Sequence, residues 1–446
     1  MTHAHEWLAG LLSALAAVVA PAGVAIAAEA GAREPPAAVA AGPVDPAALA
    51  GRAEAEVRGD ILPFWLRHAR DEARGGFFGE IGPDLAVRRD APRGALLSAR
   101  ILWTFSAAYR RYHDPACLDL ARWAYRDLET RFWDSEYGGY FWRISAAGKP
   151  KDDSKQVYGQ AFGIYALAEY FRATGEPAAL DRAIALYRLV EEHSRDRRYG
   201  GYLEAFTRDW RRPPGRRLSD LGPEYPKSQN THLHLMEAYT NLLRVWPDPG
   251  LRQNLHAFVE VMLDHVLDPD HRHLRLFFDA DWTPRSDVIS FGHDIEASWL
   301  LTETAGVLGD PALLARVRAT ALIIARGTLA QGVDADGGVF NEAGPRGLTD
   351  TGKDWWPQAE AAVGFVNAYQ ISGDPQFLAA AQHTWDFIET RMLDRQHGEW
   401  HWGVTRAGAV RPRLPLAGFW KCPYHNSRAC FELAERLRAP APAAPP

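Results

Sequence analysis

The residues best suited to acid–base chemistry lie in the stretch Ser290-Phe291-Gly292-His293-Asp294-Ile295-Glu296-Ala297-Ser298-Trp299-Leu300-Leu301. Ala297 to Leu301 have a helical pattern, so His293 and Glu296, three apart near its start, share one face. A carboxylate so placed can fix an imidazole's tautomer and stabilise the imidazolium, as a histidine that passes a proton in both directions requires. Such pairs are more often structural than catalytic, so the case depends on their company. In Asn230-Thr231-His232-Leu233-His234-Leu235-Met236-Glu237, Asn230, His234 and Glu237 fall on one helical face and His232 on another. In Gly418-Phe419-Trp420-Lys421-Cys422-Pro423-Tyr424-His425-Asn426-Ser427-Arg428, His425 opens the last helix. Three histidines suit zinc by type, but none stands in His-Glu-x-x-His spacing and Glu296 accounts for His293, so no metal is expected. Arg100, Tyr158 and the Trp355-Trp356 pair would face the same place, with Glu360 four residues beyond Trp356 as a supporting or purely structural group.

These residues need a scaffold that brings distant segments together, and the repeats supply one. Two glycines followed by an aromatic or apolar pair recur at Gly75-Gly76, Gly138-Gly139, Gly200-Gly201 and Gly337-Gly338, with degenerate copies at His273 to Phe277 and His397 to Trp400. The spacing is about sixty to seventy residues, which implies six equivalent units. Between copies the apolar period is helical, as in Ala95 to Tyr109, Ala161 to Phe171 and Ala179 to Val190. Breakers such as Gly175-Glu176-Pro177, Gly309-Asp310-Pro311 and Gly373-Asp374-Pro375 join one helix to the next. The expected fold is all-α, an (α/α)6 barrel of six helical hairpins with Gly-Gly turns or short strands at one rim. An open solenoid is the alternative, but six units without capping repeats favour closure. The inner helices would enclose a funnel at whose mouth the three histidine clusters converge.

Composition excludes some functions. Of the 446 residues 47% are apolar, and a net charge of -6 without a basic run excludes nucleic acid as the natural partner. Sixteen tryptophans and fifteen tyrosines offer stacking surfaces for sugars, or simply fill a large core. Cys117, Cys422 and Cys430 form neither a zinc pattern nor an even disulfide set and are expected as buried thiols. Residues 1–45 comprise an apolar run ending in Ala25-Ile26-Ala27 and an Ala/Pro-rich linker. They are either a cleaved export signal, giving a periplasmic or secreted protein, or the product of an over-extended start, giving a cytoplasmic one. No membrane anchor is expected. The catalytic domain is expected over 46–438 and an unfolded Ala/Pro tail over 439–446, with a monomer expected in preference to an oligomer.

Over about residues 46–436 the chain resembles the N-acylglucosamine 2-epimerase family. Gly292 to Leu301, Asn230 to Glu237, Trp355 to Glu360 and Trp420 to His425 match it in the same order, the first in the form of the disaccharide-epimerising branch. The resemblance implies an (α/α)6 barrel that inverts C2 of the reducing-end glucose in β-1,4-linked disaccharides such as cellobiose, without a cofactor. It implies that His293 and His425 are the two acid/base groups, that Glu296 is the partner of His293, and that Arg100, Asn230 and His234 are the polar groups around the reacting sugar. Tyr158, Trp356 and Trp420 are implied as ring contacts. The N-terminal extension departs from the family, whose members are mostly cytoplasmic.

Chemistry makes the same demand independently. The C2 proton of an aldose is acidic only when the ring is open and the C1 aldehyde can take charge as an enediolate, and inversion needs proton removal from one face and return to the other. An unperturbed imidazole pKa of about 6.5 would let one histidine be neutral while the other is charged. With one working histidine the proton could return to C1 instead, so an aldose-ketose isomerase acting on mannose or a related sugar is the second reading. A glycoside hydrolase would need two carboxylates flanking the bond, and only Glu296 stands out. A non-catalytic sugar-binding protein would explain the aromatics but not three histidines.

Overall fold

The computed structural model describes residues 44–212, 225–268 and 272–438. The expected signal and linker up to residue 43, and the tail 439–446, lie outside the described residues.

The architecture follows from a start signal used six times. Helices α1 (Pro46–Glu56), α4 (Pro115–Asp127), α6 (Pro177–His193), α8 (Pro249–Val261), α10 (Pro311–Gln331) and α12 (Pro375–Phe387) each open on proline behind an acidic cap. The caps are Asp45, Asp114, Glu176, Asp248, Asp310 and Asp374, whose side chains accept from backbone N–H groups in the first turn. Proline at this position loses no helical hydrogen bond, and the carboxylate meets orphan donors and the positive end of the helix dipole. These six are the outer helices. Helix α2 (Leu62–His68) follows α1 after a five-residue π-helical segment.

The inner helices are α3 (Ala95–Tyr112), α5 (Val157–Thr174), α7 (Gln229–Val245), α9 (Phe291–Leu308), α11 (Trp355–Ser372) and α13 (Tyr424–Arg436). They are buried around most of their circumference, α3 without interruption from Ala95 to Ala108. Helices α3, α5, α9 and α11 stop at a left-handed residue, His113, Gly175, Gly309 and Gly373, which ends the helix and leads into the next acid-proline start. Each inner helix packs on its successor, and α13 packs back on α3. Each also packs on one outer helix, with α1 serving α13, so the N-terminal helix completes the sixth hairpin. The ring is closed. It is the expected all-α barrel, held by one continuous apolar core.

The rim is stitched by short antiparallel strands. Arg93–Gly94, Lys155–Gln156, Lys227–Ser228, Ile289–Ser290 and Lys353–Asp354 each lie just ahead of an inner helix. They pair with Arg143–Ile144, Ala205–Phe206, Phe277–Phe278, Glu342–Gly344 and Gly403–Val404 of the following unit. A bridge from Ile81 to Ala417 joins the last unit to the first.

Beneath these strands a buried ion pair recurs. Arg93 meets Asp71, Lys155 meets Asp134, Lys227 meets Asp196, Lys353 meets Asp334 and Lys421 meets Glu399. In the remaining unit Ile289 occupies the cation's place and His273 bonds Asp294 (2.6 Å) instead. The degenerate repeat at His273 thus has a physical reason. The paired glycines sit against these groups: a Cβ on Gly201, at φ +70°, would fall 2.4 Å from Trp282 and 2.7 Å from His232. Only glycine combines that backbone with that approach. The three cysteines are free and buried.

Candidate active site

All six inner helices start at the stitched rim, so residues in their first turns converge. Tyr158 and Asn230 are the second residues of α5 and α7, His293 the third of α9, and Trp355 and Trp356 open α11. His425 is second on α13, and Arg100 lies a turn deeper on α3. Arg100, Tyr158, Asn230, His234, His293, Glu296, Trp356, Trp420 and His425 line one cavity, together with Asp354, Trp355 and Trp402. Every residue singled out from the sequence as catalytic or substrate-binding is therefore in one place.

Their pairing differs from expectation. Glu296 does not hold His293. Its Oε1 accepts from Arg428 Nη2 (2.6 Å), whereas His293 Nδ1 lies 2.8 Å from Ser290 Oγ. Residues three apart on a helix diverge by about 60°, enough on a narrow ring to send His293 against Trp356 and Glu296 toward α13. Glu296 Oε1 lies 3.9 Å from His425 Nδ1. The carboxylate that does hold His425 is Glu360, whose Oε1 accepts from Nδ1 at 2.6 Å. His234 Nδ1 donates to Glu237 Oε2 (2.9 Å). All three imidazoles are tied through Nδ1, which leaves Nε2 for a ligand. His232 points elsewhere, as expected, and accepts from the backbone N–H of Tyr202 (2.9 Å).

Arg428 is the hub that the sequence reading left unassigned. It donates to Glu237, to Tyr424 Oη, to Glu296 and, at 2.7 Å, to Glu360. Trp299 Nε1 adds a third donor to Glu360 (3.0 Å). The donors around Glu360 favour its ionised form, but burial outweighs the pull of Arg428 and pushes it above its ordinary value. Glu296 has one donor and an unpartnered Oε2. Burial, followed by repulsion from Glu360, pushes it well above the usual carboxyl range. Burial also pushes Glu237 upward, but Arg428 and His234 outweigh it and bring Glu237 down to about 2. Glu296, Glu360 and His425 offer ligand atoms within 4.8 Å of one another, yet the guanidinium of Arg428 already supplies the cation between the two carboxylates.

The imidazoles move the other way. Burial and then the neighbouring His234 lower His293 to about 3. Burial, then Arg100 and Arg428, put His425 well below 6.5, and burial lowers His234 against the opposing pull of Glu237. The expectation of one neutral and one charged histidine does not hold for the free protein. Burial favours the neutral form of all three rings. Because the folded pKa values are depressed, the ring resonances of His293 and His425 should stay at their neutral positions between pH 6 and 8. Unfolded histidines protonate below about 6.5, so the stability gained by keeping these rings neutral is lost as pH falls below that value. NMR of histidine-labelled protein checks this, and a titration of either ring centred near 6.5 would contradict it.

Aromatic rings frame the site. The ring of Trp356 lies 4.7 Å from His293 and 5.7 Å from His425, and the half-buried Trp420 packs on Tyr158 and Trp142. Arg428 could have been found from the helical face it shares with Tyr424 and His425. Trp402 could not, because it sits on an irregular rim turn with no periodicity to mark it.

The model of the N-acylglucosamine 2-epimerase family matches residues 76–429. A cellobiose 2-epimerase of Bacteroides fragilis is 43% identical over 374 residues, covering 84% of this chain and 95% of the relative. One from Ruminococcus albus is 38% identical, covering 85% and 97%. The solved structure of cellobiose 2-epimerase from Bacillus thermoamylovorans is 40% identical and superposes with a TM-score of 0.82 over 87% of this chain and 99% of that one. With a family match across most of the barrel and identity at this level along nearly the whole of its relatives, the chain belongs to the N-acylglucosamine 2-epimerase family.

Proposed function

We propose that the protein is a sugar epimerase that inverts C2 of the reducing-end glucose of β-1,4-linked disaccharides such as cellobiose. The observation that carries this reading is the pair of neutral imidazoles, His293 and His425, which come from separate helices and stand against one tryptophan ring. Relatives named as cellobiose 2-epimerases supply the substrate class.

One imidazole, neutral and with a free Nε2, takes the C2 proton of the open-chain sugar from one face, while the other, which takes up a solvent proton on Nε2 once the sugar is bound, returns it to the opposite face and is neutral again afterwards. The negative charge growing on the enediolate raises the pKa of the adjacent imidazole, so a ring that is neutral in the free protein becomes a competent base and then an acid. Arg100 and Asn230 donate to the oxyanion, where loss of one donor costs about 10²-fold or more, and His234, whose Nδ1 proton goes to Glu237, offers Nε2 as an acceptor to a sugar hydroxyl. Glu360 orients His425 as Ser290 orients His293. Hydrolysis of a glycosidic bond would need two carboxylates facing each other across it, whereas Glu237, Glu296 and Glu360 all turn toward Arg428.

The test is incubation with cellobiose in D₂O without added metal, followed by NMR of the reducing end. A mannose-type end carrying deuterium at C2 is the expected product. A fructose-type end would make the protein an isomerase, and free glucose a hydrolase. In the same assay Trp420→Ala should raise KM by about fivefold with a smaller change in kcat, the loss of one stacking face being worth about 1 kcal/mol. A selective fall in kcat would give Trp420 a different role.

A further inference from the structure

Arg100 carries a buried charge that no carboxylate neutralises at close range. Among the described residues the two other buried arginines, Arg93 and Arg428, each meet acidic side chains. Among the described residues no Asp or Glu oxygen lies within 4.0 Å of the Arg100 guanidinium. Its partners are neutral: Tyr158 Oη at 2.7 Å, the Trp420 carbonyl at 3.3 Å and Cys422 Sγ at 3.7 Å. Its Nε has none. The rings of Phe162 and Tyr424 stand 4.3 and 4.9 Å from it. The group is 2% exposed and lines the cavity.

Burying a cation without an anion is costly. A protein that keeps one at the wall of its binding cavity leaves the ligand to bring the counter-charge. A guanidinium has five N–H donors, and the three bonds named above leave some unspent. Tyr158 accepts from Arg100, and its own hydroxyl proton is free to be donated. Charge and donors therefore lie at the wall of the same cavity as the two histidines, Trp356 and Trp420.

Resting on the epimerase reading, we propose that this spot binds disaccharide aldonates, sugar acids whose C1 carboxylate pairs with Arg100, more tightly than neutral sugars, and that such acids are competitive inhibitors. The aldonate carries at C1 a planar, ionised group where the open-chain substrate develops the planar charge of its enediolate, and ligands that resemble the charged transition state bind better than the substrate. The second ring and the hydroxyls are those of the substrate, so the aromatic faces are used equally. A uronate, with its carboxylate on C6, puts the charge at the wrong end.

Calorimetric titration of the folded protein at pH 7.5 with cellobionate and with cellobiitol, its neutral reduced counterpart, tests the proposal. Cellobionate should bind at least about tenfold more tightly, and that preference should collapse in Arg100→Met and persist in part in Arg100→Lys. Equal affinity of the two ligands for the unmodified protein overturns it, as does an undiminished preference in Arg100→Met. The unmodified-protein comparison decides the matter even if Arg100→Met fails to fold. Failure of the epimerase reading has a different signature, the absence of a mannose-type end in D₂O. Turnover without aldonate preference removes only the present inference.

Discussion

His425→Ala is expected to lose epimerisation by at least about 10²- to 10⁴-fold in kcat, the range that positioned proton transfer contributes, and His293→Ala should do the same. The ring of His425 is held by Glu360 and has no second imidazole that could take its place on α13. The two variants should differ from a folding defect in one respect. With one base left, a C2 proton can be removed and returned on the same face, so deuterium from solvent would enter the substrate without inversion. NMR that follows label and epimer separately resolves the two. Full activity in either variant would remove the two-base scheme.

Arg428→Met is expected to cost about 3–5 kcal/mol of stability, the typical penalty for deleting one partner of a buried ion network. Arg428 is 1% exposed and is the shared donor to Glu237, Glu296 and Glu360. Without it three carboxyls from α7, α9 and α11 crowd together with no cation, and they must take up protons or separate. Denaturant unfolding of the variant beside the unmodified protein measures the loss. A difference below about 1 kcal/mol would mean that the cluster is already largely protonated and leaves Arg428 little charge to balance. Catalysis should suffer as well, because Arg428 fixes the Glu360 carboxylate on which the His425 ring depends.

Both expectations come from where protons sit, and this is where sequence and structure part. From residue types alone, His293 and Glu296 form the natural acid–base couple and an imidazole near its ordinary pKa would carry the mobile proton. Burial reverses that assignment. Desolvation disfavours the charged form of both group types, so the rings are pushed toward neutrality and Glu296 toward its protonated form.

The sequence by itself determined the six-unit plan, because a repeat whose helices cannot bury their faces alone must stack on neighbours. The acid-proline starts and paired glycines are local signals with local causes, and they are visible as letters. It also determined which residues meet, since a closed ring of hairpins brings the first turns of all inner helices to one rim whatever the details. What only the tertiary structure decided is who pairs with whom. Glu360 rather than Glu296 holds His425, Arg428 gathers three carboxylates from three helices, and Arg100 is left without one. These pairings depend on how far each helix is rotated about its own axis, and a shift of one residue turns a side chain by about 100°. That rotation is set by packing against both neighbours and the outer helix at once, a sum over contacts that no single stretch of sequence contains.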